Sequence, residues 1–203
     1  IIITHGTDTL HYTSAALSFA LQDLPIPVIL VGSQRSSDRG SSDAGFNLRC
    51  AAKFIAETNF AGVAICMHSS TSDDACNIIH GCKARKLHSS RRDAFKSVND
   101  DPIAKVSNEK VEFIKKEHKQ RDNSKLKLML FDEKAKVGIV KAHPGMKANE
   151  IAFFSKYDGL ILEGTGLGHF PVSKIDEFTS ENEKIYNEIK KLSQKIPVVM
   201  TSQ

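Results

Sequence analysis

The sequence has 203 residues, 40% of them hydrophobic, which is enough to bury a substantial core in one large domain or two small ones. Its 28 lysines and arginines against 24 aspartates and glutamates give a net charge of +4, too small to require a nucleic-acid partner although compatible with a nearby polyanion. The four cysteines form no C-x-x-C pair, which argues against a disulfide-rich secreted domain and for a reducing compartment.

The sequence shows no secretory signal and no apolar run that approaches the ~18 residues of a membrane helix. We therefore expect a cytoplasmic protein without a membrane partner. The chain begins inside an apolar run without an initiator methionine, and it ends on PVVMTSQ, just after another apolar run. These features predict that the sequence is the middle of a longer protein.

Three apolar runs in the first half of the chain predict buried strands, at residues 1–3, 27–32 and 61–67. Helical patterns separate them, and the resulting β-α-β-α-β order predicts an α/β fold with a mostly parallel sheet covered by helices. Ligands of such sheets bind beyond the carboxyl ends of the strands. Residues 4–8, THGTD, lie at one such end.

Two amphipathic helices are predicted between these strands. The first has a cap at Thr13 or Ser14, and the second has a cap at Ser42 with Asp43 in its first turn. The expected core faces consist of Leu17, Ala20, Leu21 and Leu24 in the first helix and of Leu48, Ala51, Ala52 and Ile55 in the second.

A charge-rich stretch at residues 108–136 predicts a domain boundary there or just after it, although a long solvated excursion within one domain stays open. We expect a larger domain of residues 1–130 and a smaller α/β domain of residues 136–203. The smaller domain is predicted to contain strands at 137–142, 158–164 and 197–200, a helix at 148–154, and a helix with capping-box residues Ser180 and Glu183 and aligned Ile185, Ile189 and Leu192.

The THGTD segment carries groups that are suited to nucleophilic catalysis. The hydroxyl of Thr7 is a poor nucleophile until a base takes its proton, and a neutral lysine amine can act as that base. Asp8 could hold a substrate ammonium group or tune the lysine. Spacing alone selects no lysine, and a threonine-aspartate pair is more often a turn or a helix cap.

Two further motifs favour structural roles. GTGLGH (164–169) follows a strand, but its spacing is not G-x-G-x-x-G and Pro171 stands where a helix would begin, so a tight turn is favoured over a dinucleotide loop. A cysteine and histidine cluster matches no familiar zinc spacing, so buried structural residues are favoured over a metal site. The members of the cluster are Cys66, His68, Cys76, His80 and Cys82.

Two loops are rich in charge. Residues 35–48 combine arginines, serines and aspartates, which suits helix capping but also an anion or a neighbouring subunit. Residues 83–97 form the most basic stretch of the chain. Such a loop could contact an RNA backbone, although a solvated face is the more common role.

These segments together resemble the L-asparaginase superfamily, in the right order and over most of the chain. THGTDT (4–9) is similar to its second threonine motif, residues 31–48 to the following strand and helix, and residues 85–97 to its lysine segment. EGTGLGH (163–169) lies where that superfamily has a strand end of the small domain. QRSSDR, KLHSSRRDAF and LEGTGLGH further resemble the D-subunit family of archaeal-type glutamyl-tRNA(Gln) amidotransferases.

The resemblance implies roles for four residues. Thr7, Asp8 and Lys86 would form a relay in which Lys86 accepts a proton and Asp8 fixes both the lysine and the α-amino group of the substrate. Ser33 matches a position whose backbone lines the pocket for the side-chain amide. The first threonine of the superfamily, in a T-G-G-T-I type segment, would lie ahead of Ile1, so the 203 residues alone are expected to be inactive.

The resemblance implies an amidohydrolase that releases ammonia from glutamine or asparagine by a threonine-nucleophile mechanism, without a cofactor or metal. The ammonia would serve the conversion of Glu-tRNA(Gln) to Gln-tRNA(Gln), with a partner amidotransferase subunit and tRNA. A homo-oligomer, at least a dimer, is also implied. The alternatives are a stand-alone cytoplasmic L-asparaginase and a non-catalytic amino-acid-binding domain.

Overall fold

The computed structural model describes residues 1–202, which form two compact units, Ile1–Phe131 and the residues from Asp132 onwards. Both units combine helices with sheets, so the α/β class predicted from the sequence is confirmed. No helix in the described part of the chain is both long and apolar enough to cross a membrane.

The first unit is built around a six-stranded sheet with strand order β1-β3-β4-β5-β8-β9. Strands β1, β3 and β4 run parallel, as the sequence predicts, whereas β5, β8 and β9 add antiparallel neighbours that the apolar pattern did not reveal. Two shorter pairs, β2 with β10 and β6 with β7, lie outside this sheet. The strands are β1 Ile2–Thr4, β2 Leu21–Gln22, β3 Pro27–Val31, β4 Gly62–His68, β5 Ala75–His80, β6 Ala84–Lys86, β7 Phe95–Ser97, β8 Ala104–Ser107, β9 Val111–Phe113 and β10 Lys127–Leu128.

Helix α1, Leu10–Ala20, differs from its prediction at both ends. It begins before Thr13 and Ser14, so neither residue caps it, and Thr9 occupies the N-cap position. It ends at Ala20 because the following residues, Leu21–Gln22, leave the helix and pair with β10. Leu24 is nevertheless buried, in the core cluster that α1 covers on one face of the sheet.

Helix α2, Ala44–Glu57, covers the opposite face of the sheet with a different side than predicted. Its N-cap is Asp43 and not Ser42. Leu48 is 42% exposed, and Ala51 is the one fully buried member of the predicted face. The observed core face consists of Phe46, Asn47, Cys50, Ala51 and Phe54. The buried asparagine interrupts the apolar periodicity, which explains why the sequence pattern selected the wrong side.

The second unit is a three-stranded parallel sheet of order β11-β12-β13. Its elements follow the predicted sequence order, and helix α4 buries Ile185 and Leu192 as predicted, with Ile189 packed against the same cluster. The first predicted helix is shorter than expected and continues as a 3-10 turn at Phe153–Lys156. The elements are β11 Val137–Lys141, α3 Ala148–Ala152, β12 Gly159–Glu163, α4 Ser180–Ser193 and β13 Val198–Thr201.

The tight turn predicted at the end of β12 is confirmed. Thr165 and His169 form a backbone bridge, with reciprocal N–H to O distances of 2.9 and 2.8 Å. A Cβ on Gly164 would lie 2.5 Å from the carbonyl carbon of Gly168, so the turn requires a glycine at position 164.

The corrected face of α2 leads to a stability prediction. Replacing Phe54, which is fully buried, with alanine should lower the free energy of unfolding by about 3–5 kcal/mol, because it leaves a cavity in the core. Leu48→Ala, on the face predicted from the sequence, should cost about 1 kcal/mol or less. Urea denaturation of both variants measures the difference, and equal losses would contradict the observed helix orientation.

Candidate active site

Three of the four residues selected from the sequence lie together. The Lys86 ammonium group donates hydrogen bonds to Thr7 Oγ1 at 3.0 Å and to Asp8 Oδ1 at 2.8 Å. The Lys86 side chain is only 12% exposed, whereas that of Asp8 is 95% exposed. A largely buried amine thus bridges a hydroxyl and a carboxylate that is open to solvent.

The sheet explains why Thr7 and Asp8 occupy this position. Strand β1 pairs in parallel with β3, and His5 extends the pairing by donating its backbone N–H to Val31 O at 2.9 Å. The His5 ring lies 2.9 Å from the Thr13 hydroxyl on α1 and 2.7 Å from Gly6 O, which fixes the turn just before Thr7. The turn therefore carries Thr7 and Asp8 beyond the carboxyl edge of the sheet.

Lys86 comes from a separate element, the antiparallel hairpin of β6 and β7. Lys86 is the last residue of β6 and pairs with Phe95, which is fully buried in the core cluster on the α1 side of the sheet. Anchoring of Phe95 in the core fixes the hairpin to the sheet. The position of Lys86 is therefore set by packing and not by a flexible loop.

Gly32 allows the Thr7 turn to approach the end of β3. A Cβ at this position would lie 2.8 Å from Thr7 Cγ2 and 2.9 Å from Leu10 Cδ1, well inside the ~3.5–4.0 Å at which carbon atoms pack. Any larger residue at position 32 would therefore push Thr7 away from its present place.

Ser33, the fourth predicted residue, lines a neighbouring cleft and is not in the Lys86 cluster. The cleft has a volume of about 580 Å³ and lies between the ends of β1 and β3 and the first turn of α2. This volume is sufficient for an amino acid. Residues on its wall include His5, Gly6, Gly32, Ser33 and Gly45.

The charges of the site act on two neighbouring titratable groups. The hydrogen bond from Lys86, and then its positive charge, hold the pKa of Asp8 below its ordinary value. Burial lowers the pKa of His11, with smaller effects from the charges of Arg85 and Lys86. Asp8 is therefore anionic and His11 neutral near neutral pH.

Sequence reasoning missed two residues that hold the site together. The buried carboxylate of Asp43 accepts hydrogen bonds from the segment that follows β3, and the side-chain amide of Gln34 donates to Arg91 O at 2.9 Å in the loop after Lys86. Asp43 was expected only in the first turn of a helix. The acidic and serine-rich composition of residues 35–43 was a signal, but composition alone does not show which carboxylate turns inward.

The other motifs have structural partners. In the basic stretch, Arg91 and Lys96 form ion pairs with Asp93, and Arg92 pairs with Asp73. Cys66, His68 and Cys76 are buried, whereas Cys82 and His80 are exposed and lie 3.3 Å apart. Within residues 1–202, no group of three or more histidine, cysteine, aspartate or glutamate residues could hold a metal ion.

The ion pair leads to a titration prediction. Lys86→Met should raise the pKa of Asp8 towards its ordinary value, because the substitution removes the hydrogen bond and the charge that lower it. Since the folded-state pKa is depressed, the stabilisation is present above the ordinary pKa and disappears as the pH falls through the lowered value. The carboxyl chemical shift of Asp8 reports the titration. Lys83→Met is the control, and an unchanged midpoint in Lys86→Met would contradict the ion pair.

Comparison with curated proteins gives relatives that share one name. The chain is 46% identical to the D-subunit of glutamyl-tRNA(Gln) amidotransferase from Pyrococcus horikoshii, covering 100% of this chain and 44% of that protein. It is 47% identical to the D-subunit of the same enzyme from Methanococcus maripaludis, over 90% of this chain and 44% of that protein. The chain thus spans less than half the length of these relatives.

Solved structures and a family model agree on the fold. The thermostable L-asparaginase from Thermococcus kodakarensis superposes with a TM-score of 0.81 at 33% identity, covering 100% of this chain and 56% of that one. L-asparaginase I from Vibrio cholerae gives a TM-score of 0.80 at 25% identity, over 100% of this chain and 57% of that one. The model of the asparaginase N-terminal domain matches residues 1–119. The chain therefore belongs to the asparaginase family.

Proposed function

We propose that this chain is part of an amidohydrolase that releases ammonia from the side-chain amide of glutamine or asparagine. The observation that carries the proposal is the contact of Lys86 with both Thr7 and Asp8, since this geometry suits a proton relay to a hydroxyl nucleophile. Membership of the asparaginase family and the names of the relatives support the same class of reaction.

The relay acts through the charge state of Lys86. As an ammonium group, Lys86 donates to Thr7 and Asp8, which is the arrangement in the structure. After losing one proton, its amine can accept the hydroxyl proton of Thr7, and the anionic Asp8 then stabilises the ammonium group that forms. Because Asp8 is highly exposed, its second oxygen remains available for the α-ammonium group of a substrate.

The proposed reaction proceeds by two displacements. A threonine oxygen attacks the amide carbon, the carbon–nitrogen bond breaks, and the nitrogen leaves as ammonia after receiving a proton from the relay. Water then attacks the acyl ester, which releases glutamate or aspartate and restores the hydroxyl. Ser33, on the wall of the cleft beside Thr7, is proposed to bind the side-chain amide, and backbone N–H groups at these strand ends would stabilise the oxyanion.

The names of the relatives favour a tRNA-dependent use of the ammonia. In this proposal the protein is the ammonia-producing subunit of an amidotransferase that converts Glu-tRNA(Gln) to Gln-tRNA(Gln). Its partners are a second amidotransferase subunit and tRNA, and the protein itself is a homo-oligomer. The superposition on L-asparaginases supports a second candidate, a stand-alone asparaginase that needs neither partner.

The test is ammonia release by the complete natural polypeptide that contains these residues. Thr7→Ala and Lys86→Met should each lower the rate by about 10²–10⁴-fold, since each removes a member of the relay. Thr7→Ser, which keeps a hydroxyl, should retain more activity than Thr7→Ala. Equal activity of Thr7→Ala and the wild type would refute the proposed role of Thr7.

The same assay separates the candidate functions. Ammonia release from glutamine or asparagine that increases with glutamyl-tRNA and the partner subunit would support the amidotransferase. Release that is independent of both would support a stand-alone asparaginase. Binding of either amino acid without ammonia release under any condition would instead indicate a non-catalytic binding domain.

A further inference from the structure

A chain of buried polar side chains lies beneath residues 33–35, which we term the Ser33 loop. It begins at Asp43, which is fully buried. The carboxylate of Asp43 accepts hydrogen bonds from the backbone N–H groups of Gln34, at 3.1 Å, and Arg35, at 2.8 Å. It also accepts from the Ser33 hydroxyl at 3.0 Å. A single carboxylate thus determines the backbone course of the loop.

The next member of the chain is Asn47, one helical turn further along α2. Its Nδ2 donates to Gly32 O and to Asp43 Oδ2, both at 3.0 Å. Both partners can only accept, so the orientation of the amide is fixed and Oδ1 must face away from them. The Nδ1 atom of His68 lies 2.6 Å from that Oδ1 atom.

His68, also fully buried, completes the chain. Its Nδ1 carries a proton because it faces the carbonyl oxygen of Asn47. Its Nε2 lies 2.9 Å from Asp73 Oδ1, which also accepts from Arg92 at 2.8 Å. The hydrogen bond from His68 and the charge of Arg92 lower the pKa of Asp73, so this carboxylate is ionised and only accepts. Nε2 therefore carries a proton as well.

The surroundings balance the charge of a doubly protonated His68. Asp43 on α2 and Asp73 before β5 are negative, and Arg92 in the β6–β7 hairpin is positive. The remaining neighbours are uncharged: the Phe46 ring lies 5.2 Å from the His68 ring, and the Cys76 thiol lies 3.2 Å from Asn47 Oδ1. Two cations and two anions thus form one network, which makes a buried charge tolerable.

Arg92 connects this network to the element that carries Lys86. Its guanidinium group donates to Ser41 O, just ahead of Asp43, as well as to Asp73. Gln34, in the Ser33 loop, reaches the same hairpin through Arg91 O. The network therefore joins the loop beside the cleft to the hairpin on which the proposed proton acceptor lies.

We infer that Asp43, Asn47 and His68 are positioning residues for the proposed amidohydrolase site, with His68 doubly protonated. The inference rests on the proposed function in so far as the Ser33 loop lines the cleft that receives the amide. His68 and Asp43 do not touch the substrate. They act through Asn47, and they hold the backbone of the Ser33 loop and Gly32 in the arrangement that the cleft requires.

The protonation of His68 is tested first, in intact protein labelled with ¹⁵N-histidine. Both ring nitrogens of His68, assigned by their loss in His68→Gln, should resonate as imidazolium nitrogens at neutral pH. His11, whose pKa is lowered by burial, provides a neutral reference in the same spectrum. A neutral tautomer at His68 would overturn the inference.

The positioning is tested by amide hydrogen exchange at Gln34 and Arg35. Asp43→Asn should accelerate exchange at these two amides about tenfold or more, because it removes their charged acceptor. Ser14→Ala is the matched control, since the buried Ser14 hydroxyl donates at 2.7 Å to Gly81 O, outside the network. Equal acceleration in both variants would indicate general destabilisation and would contradict a positioning role.

Kinetics of the complete natural polypeptide provide the third test. Asp43→Asn should raise KM for the amide substrate about tenfold, with a smaller change in kcat, because it weakens binding in the cleft. A lower kcat with unchanged KM, as expected from a smaller folded fraction, would contradict the inference. If the wild type releases no ammonia, the proposed function fails, whereas the ring nitrogens and the exchange rates still decide the positioning.

Discussion

The parallel pairing of β1 with β3 is the constraint on which the candidate site depends. It places the ends of the two strands side by side, so that the turn after β1 and the loop after β3 leave the sheet at the same edge. Thr7 and Ser33 are therefore neighbours although 26 residues separate them along the chain. A change in the register of this pair would remove the site even if every catalytic side chain were retained.

The site combines an exposed half with a buried half. Asp8 is open to solvent, whereas the carboxylate and imidazole groups beneath the Ser33 loop are excluded from it. Groups that meet a substrate must be accessible, but groups that orient them gain rigidity from burial, because a buried hydrogen bond has no water to replace it. This division explains why a chain with a modest net charge places several ionisable residues inside its core.

Periodicity predicted the α/β class, the parallel strands around the site and the elements of the second unit. It did not predict β5, β8 and β9, and it selected the wrong side of α2, since that helix buries Asn47 where the pattern expects an apolar residue. Thr7, Asp8 and Lys86 came from the resemblance to the asparaginase family, and the structure brings them together. Asp43 and His68 could not be identified in this way. A buried polar residue looks like a surface residue until its partners, which lie far away in sequence, are known.

The contact between Lys86 and the THGTD turn joins residues 78 and 79 positions apart. Closing such a long loop costs conformational entropy that only a largely formed sheet and hairpin can offset. A folding intermediate that contains β1 and β3 but lacks the β6–β7 hairpin would have the hydroxyl without its base. The chain therefore cannot acquire this proton relay early in folding, and a nascent or partly unfolded molecule would have no means of attacking the amides of the amino-acid pool around it.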